Sequence, residues 1–466
     1  MGQTTVKDVE LKHEGTEIIL PVLAGKEMSI PEAILWLDRK QKEAESKVSI
    51  YESIPCSPLD GAMALARAIK ERYGWSKHTG TMVGVPIAVG ETEQVPWGTL
   101  AIPGIDGTLS TSMDVNPPAF VLCGDVKKKH KPEVVELIKL TRKYLDEQSI
   151  YRGKAVRVSW DWERQGRNYN PLNDAPKFFG IDPDAEEILT FSERVSADLE
   201  VGLFALIEHR DECRKYQIPL KRGVLLYGRY GTGKTLTATV AALRSVKTGT
   251  TFVYLDSVED LRRGLEFAAQ YAPSVVFCED IDRAMSGERS IAMDEVLNLI
   301  DGIDTKGKEI ITVLTTNHIE RINPALLRMG RIDTLIEVTA PDASAAEKLV
   351  AKYGRGLIAD DADLSKVGKR LAGKIPAFIR ECVERSKIAA IARLKGKSIA
   401  GAVTEEDLLT AAGNLETHDA LLQPKKGRPR YYSADRMFLR VDESVEVEET
   451  YDAKFPEVTF DDDFVQ

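Results

Sequence analysis

Along the first third of the chain the spacing of apolar positions changes several times. Helical spacing, with apolar residues three and four apart, runs through PEAILWLDRKQKEAES, PLDGAMALARAIKERYG and KPEVVELIKLTRKYLDEQ. Short strand-like runs, TLAIPG, AFVLCG and GKAVRVSW, are set among and after them. The pattern predicts a separate mixed α/β N-terminal domain over residues 1–165, followed by a polar linker over 166–185. From 186 to 341 helical stretches alternate with five short apolar runs, GVLLYG, TFVYL, SVVFC, IITVLTT and TLIEV. That alternation predicts an α/β unit with a parallel five-stranded sheet and crossover helices. Residues 342–416 read as helical, and 417–466 as a basic linker and an acidic, disordered tail.

A chain of 466 residues exceeds one core, which agrees with two or three domains. All five tryptophans (Trp36, Trp75, Trp97, Trp160, Trp162) fall in the first third and strengthen the case for a distinct domain there. No apolar run reaches the length of a membrane span, and the start MGQTTVKDVE lacks a signal-peptide core. Cys56, Cys123, Cys213, Cys278 and Cys382 form no CxxC pair, so reduced thiols in a cytoplasmic protein are expected. The net charge of −10 is local: Val441 to Gln466 holds ten acids against Lys454 alone. The remainder is nearly neutral, and bulk charge implies no nucleic-acid affinity.

GRYGTGKT, between the strand VLLY and the helix LTATVAALRSV, fits G-x-x-x-x-G-K-[ST] in the required context. Backbone N–H groups of Gly228, Arg229, Tyr230, Gly231, Thr232, Gly233 and Leu236 are expected to cradle phosphates at a helix start. Lys234 would reach the β- and γ-phosphates of ATP, and Thr235 would hold Mg2+. A second strand must deliver acid to that metal, and VVFCEDID supplies Glu279 and Asp280, with Asp282 a helix N-cap candidate. By position from the strand, Glu279 takes the metal slot and Asp280 the slot that orients water. The usual order is the reverse, and the exchange moves each carboxylate by roughly 1–1.5 Å where a base must lie within about 3 Å of water.

Three further stretches resemble the AAA ATPases. ITVLTTN ends in Asn317, where that family places a γ-phosphate sensor; INPALLRMGRID resembles its second region of homology; YQIPLKRGVLLYG resembles its lead-in. The resemblance implies that Arg328 and Arg331 are arginine fingers reaching a neighbouring subunit's ATP, hence a homo-oligomeric ring, a hexamer above all. It implies a helical AAA lid over 342–416, with Ala377 of GKIPAFIRE near the adenine and Ile218 a second candidate. Pro376 stands where some clades place a sensor arginine, and Arg380 one turn on reads as structural. EDIDRA, LNLIDGID and TTNHIERINPALLRMGRID are most similar to the mitochondrial Rieske-protein translocases, which also write Glu-Asp, so hydrolysis is expected to be retained with slower turnover. DSVEDLRRGLEFAAQYAP holds no aromatic–hydrophobic–glycine pore loop, and Arg262, Arg263 and Gly264 read as a helix face.

PKKGRPRYY resembles an AT-hook, so DNA contact through Lys425–Arg430 (with Arg428 and Arg430 the readers) stands beside a plain basic linker. EVTFDDDFVQ reads as a solubilising tail or a docking peptide. Three functions follow: a chaperone-like AAA ATPase remodelling a protein client bound by the N-terminal domain, a DNA-acting motor or loader, and an ATP-switched ring scaffold with slow hydrolysis.

Overall fold

In the computed structural model the described residues are 7–13, 16–22, 30–115, 118–159, 175–283, 307–322, 324, 326–328, 330–395 and 398–422. A hairpin of β1 (Lys7–His13) and β2 (Thr16–Val22) precedes α1 (Ile30–Glu45) and β3 (Lys47–Ile54). Then come α2 (Pro58–Tyr73), β4 (Lys77–His78), the hairpin β5 (Thr81–Ala88) and β6 (Glu91–Trp97), β7 (Thr99–Ala101), β8 (Gly107–Val115), β9 (Pro118–Lys127) and α3 (Lys131–Glu147). Five of these strands form an antiparallel sheet in the order β3-β9-β8-β7-β4. Pro58 opens α2 where a missing N–H costs no hydrogen bond. Helical spacing then puts Leu59, Met63 and Leu65 into one apolar cluster with Phe120 and Leu122 of β9 and Val134 and Leu137 of α3.

The second sheet has seven strands. They are β10 (Ala155–Val158), β11 (Lys177–Phe178), β12 (Arg222–Tyr227), β13 (Thr251–Leu255), β14 (Ser274–Cys278), β15 (Ile310–Thr316) and β16 (Thr334–Glu337), in the order β11-β10-β13-β14-β15-β12-β16. All pairs are parallel except β11 with β10. β13, β14 and β15 are buried along their whole length, which is why they read as unbroken apolar runs. Helices α4 (Ala185–Ile188), α5 (Glu193–Leu199), α6 (Ala205–Glu208), α7 (Arg210–Lys215), α8 (Lys234–Lys247) and α9 (Leu261–Gln270) connect and cover the strands. α10 (Ala343–Gly354), α11 (Leu364–Leu371), α12 (Pro376–Arg393) and α13 (Glu405–Leu422) form the helical segment expected after residue 342. Contacts divide the chain after Ala412, and the shorter part is described only at the end of α13. Among the described residues no helix is long and apolar enough to cross a membrane.

Two expectations are corrected. The sheet has two strands more than the five expected, because β10 joins it through the register Ala155↔Phe252 to Val158↔Leu255. GKAVRVSW thus belongs to this sheet and not to the N-terminal domain, and β11 lies inside the expected linker. The other correction concerns the N-terminal part, which shares a core with the second sheet. Leu59, Leu137 and Tyr151 belong to the same apolar cluster as Val253, Leu255, Val276 and Leu314. Polar bonds cross the same seam: Tyr271 Oη accepts from Ser57 N–H at 2.9 Å, Pro118 O from Gln270 Nε2 at 2.9 Å, and Ala272 O from Arg152 Nη1 at 3.1 Å. A local period carries no information about such distant pairings.

Candidate active site

The loop from Gly228 to Gly233 joins β12 to the start of α8 and turns through positive φ at Gly231 (74°) and Gly233 (110°). A side chain would be strained at both positions. A Cβ on Gly231 would lie 3.1 Å from Ile375 Cδ1, and one on Gly233 would lie 3.0 Å from Phe191 Cε1. Thr232 is buried and its hydroxyl donates to Arg229 O at 2.9 Å, which fixes the loop from within. Arg229, Tyr230 and Thr235 are exposed, Leu236 packs on the apolar cluster under the sheet, and Tyr230 meets His318 edge-on with ring centres 6.0 Å apart.

Lys234 is only 7% exposed. Its ammonium donates to Gly228 O at 2.7 Å, Arg229 O at 2.9 Å and Asn317 Oδ1 at 2.7 Å. Burial pulls its pKa below the usual lysine range, and the neighbouring Asp280, Asp282 and Glu279 oppose that shift. Asn317, at the end of β15, turns its Nδ2 to Asp280 Oδ1 at 2.8 Å. Lys234, Asn317 and Asp280 therefore form one chain of hydrogen bonds joining the ends of three neighbouring strands. Asp282 is buried and supports the chain, accepting from Thr316 Oγ1 at 2.8 Å and from Asn317 N–H at 3.2 Å.

The two acids after β14 part company. Glu279 continues the strand, donating its N–H to Leu255 O at 3.2 Å. Asp280 adopts φ 47°, a left-handed conformation that aspartate tolerates better than most side chains, and its N–H donates to Thr315 Oγ1 at 3.0 Å. That turn aims Asp280 at Asn317. Glu279 Oε1 is enclosed without a hydrogen-bond partner. A polyphosphate with a divalent cation fits this set: a glycine loop with positive φ at a helix start, one buried ammonium and a carboxylate oxygen lacking a partner.

Arg328 and Arg331 lie in the connection from β15 to β16, Arg328 exposed and Arg331 half-buried, with Arg331 N–H donating to Arg328 O at 3.1 Å. Ala377 is exposed in the first turn of α12, two residues after the Ile375 that borders Gly231. Ile218 lines a pocket with Val201, Tyr216, Arg222 and Leu335, whose lining includes no residue of the Gly228–Leu236 loop. Arg262, Arg263 and Gly264 lie on α9, where Gly264 abuts Leu255 and the helix packs on the sheet. Lys425–Arg430 and the acidic tail lie outside the described residues. Sequence reading missed Phe191 and Ile375, which flank the glycines, and the pair Arg157 and Tyr254 beside Glu279. An aromatic or aliphatic residue in a loop carries no motif of its own, although Ile375 stands one residue before the noted Pro376.

A family model described as "ATPase family associated with various cellular activities (AAA)" matches residues 224–340. The chain is 31% identical over 295 residues to a proteasome-activating nucleotidase of Methanoculleus marisnigri, a match spanning 58% of this chain and 67% of the relative. It is 37% identical over 215 residues to a 26S proteasome regulatory subunit 4 homolog of Oryza sativa, covering 42% of this chain and 45% of that one. A cell division cycle protein 48 homolog of Archaeoglobus fulgidus is 29% identical over 240 residues, 45% of this chain and 32% of the relative.

Proposed function

Because the chain belongs to the AAA family of ATPases, we propose that it hydrolyses ATP in a homo-oligomeric ring, a hexamer, and uses the energy to remodel a protein client. The hydrogen-bonded chain Lys234–Asn317–Asp280 carries the reading, since it links the phosphate loop to a carboxylate through an amide that can sense what lies between them. Lys234 and the amides of Gly228–Leu236 hold the phosphates, and Asp280 orients the attacking water. Thr235 and Glu279 hold Mg2+, which when bound neutralises phosphate charge. Arg328 and Arg331 complete the site of a neighbouring subunit, and Ala377 with Ile375 borders the base.

Two relatives are named for the proteasome, which supports a protein client recognised by the N-terminal part. The narrower likeness to Rieske-protein translocases rests on the Glu279–Asp280 order. Among the described residues no observation favours DNA: Lys127, Lys128 and Lys129 pair with Glu45, Glu43 and Asp106. An Asp280→Asn variant tests the reading. It should bind ATP as tightly as the wild type, lose about 10²–10⁴-fold in turnover and retain its client. Turnover at the wild-type rate would remove Asp280 from the water-orienting role.

A further inference from the structure

Beside Glu279 runs a row of side chains that the reading above does not use. Residues opposite one another in paired parallel strands project from the same face of the sheet. Arg157 of β10 lies opposite Tyr254 of β13, and Tyr254 opposite Phe277 of β14. Glu279 follows Phe277 by two residues and shares that face, the one where Tyr254 and Phe277 cluster with Ala238 and Ala241 of α8. The Tyr254 and Phe277 rings stack at 6.2 Å and 9°. The Arg157 guanidinium lies 5.6 Å from the Tyr254 ring centre and grips Asp256 with two donors, Nε to Oδ2 at 2.7 Å and Nη2 to Oδ1. Tyr254 is therefore diagonal to Glu279 on that face, and Glu279 Oε1 has no hydrogen-bond partner.

We propose that Tyr254 and Arg157 are positioning residues that hold Glu279 in the metal slot from the flank away from the phosphate loop. The inference rests on the ATPase reading. Glutamate has one more rotatable bond than aspartate, and that freedom must be removed before the carboxylate can hold an ion at a set place. A phenol donating to one carboxylate oxygen removes it and leaves the other oxygen for the metal, as outer partners of metal ligands commonly do. Arg157 lies over the ring that carries the phenol and is itself pinned by Asp256, so the phenol cannot swing away. The exchanged order of the two acids thereby has a structural counterpart: a longer metal-side acid with an anchor on its free side. Arg157 comes from β10, the strand that sequence reading gives to the N-terminal domain and that the register places in this sheet.

The test uses the full chain and a fluorescent ATP analogue, titrated with and without Mg2+, and Mn2+ binding followed by electron paramagnetic resonance. Tyr254→Phe and Arg157→Gln should bind the metal-free nucleotide as the wild type does, yet need about tenfold more Mg2+ or Mn2+ for half-saturation. In a Glu279→Asp background, Tyr254→Phe should change the metal requirement no further, because the two substitutions act on one interaction. An unchanged metal requirement in both single variants overturns the proposal, as does full additivity with Glu279→Asp. Equal loss of metal-free binding, or a lowered melting temperature in both variants, would assign the pair to packing and overturn it as well. If the wild type binds no ATP with or without Mg2+, the ATPase reading falls and takes this inference with it. Metal-dependent binding by the wild type with unaltered variants removes the inference alone.

Discussion

Asp60 lies in the seam between α2 and the seven-stranded sheet, 1% exposed, accepting from Ser149 Oγ at 2.6 Å and from Ile150 N–H at 3.0 Å. Burial raises its pKa above the usual carboxylate range despite those bonds. A carboxyl whose folded pKa is raised stabilises the fold fully below its unfolded pKa and loses that contribution as pH climbs through the folded value. Each pH unit between the two is worth about 1.4 kcal/mol. In an Asp60→Asn variant the amide oxygen would keep an acceptor for Ile150 or Ser149, while Ser149 Oγ stays occupied as acceptor by the N–H groups of Tyr151 and Arg152. Urea unfolding of Asp60→Asn and wild type should therefore show the wild type losing ground to the variant as pH rises from 4 to 8; parallel curves would mean that Asp60 titrates alike in both states. At this scale the phosphate loop, Asn317 and the acid pair were legible because each sits at a fixed offset from a strand end. Asp280's turn toward Asn317 was not, since left-handed φ at an aspartate leaves no mark in the sequence.

Elements that bury both faces announce themselves, and β13, β14 and β15 are legible as short, largely apolar runs with turns and helices between. β10 is recognisable as a strand, but its sheet is not, because its hydrogen-bond partner β13 lies far along the chain. The helices after residue 342 were legible as helical sequence, and the start of the first follows local chemistry. Asp342 Oδ1 accepts from Ala345 N–H at 2.8 Å and caps α10. Replacing Asp342 by alanine should cost about 1 kcal/mol in chemical denaturation, with asparagine nearly neutral. A loss confined to alanine identifies the cap, whereas equal losses would point to the charge.

At the scale of the molecule, the N-terminal part and the ATPase sheet fall in one compact unit and share an apolar cluster. A fragment of residues 166–422 would leave β13 as an open edge and bare Val253, Leu255 and Val276. Such an edge and patch invite association, so size-exclusion chromatography should find the fragment aggregated while the full chain elutes as a defined species. A monodisperse, cooperatively melting fragment would restore the separate domain. The pairing of β10 with β13 also sets a clock. At about 5–20 residues per second, translation brings β13 out roughly 5–20 s after β10. For that interval the nascent N-terminal part waits on the ribosome with its seam uncovered, and the apolar face that completes the enzyme is meanwhile a face for chaperones to hold.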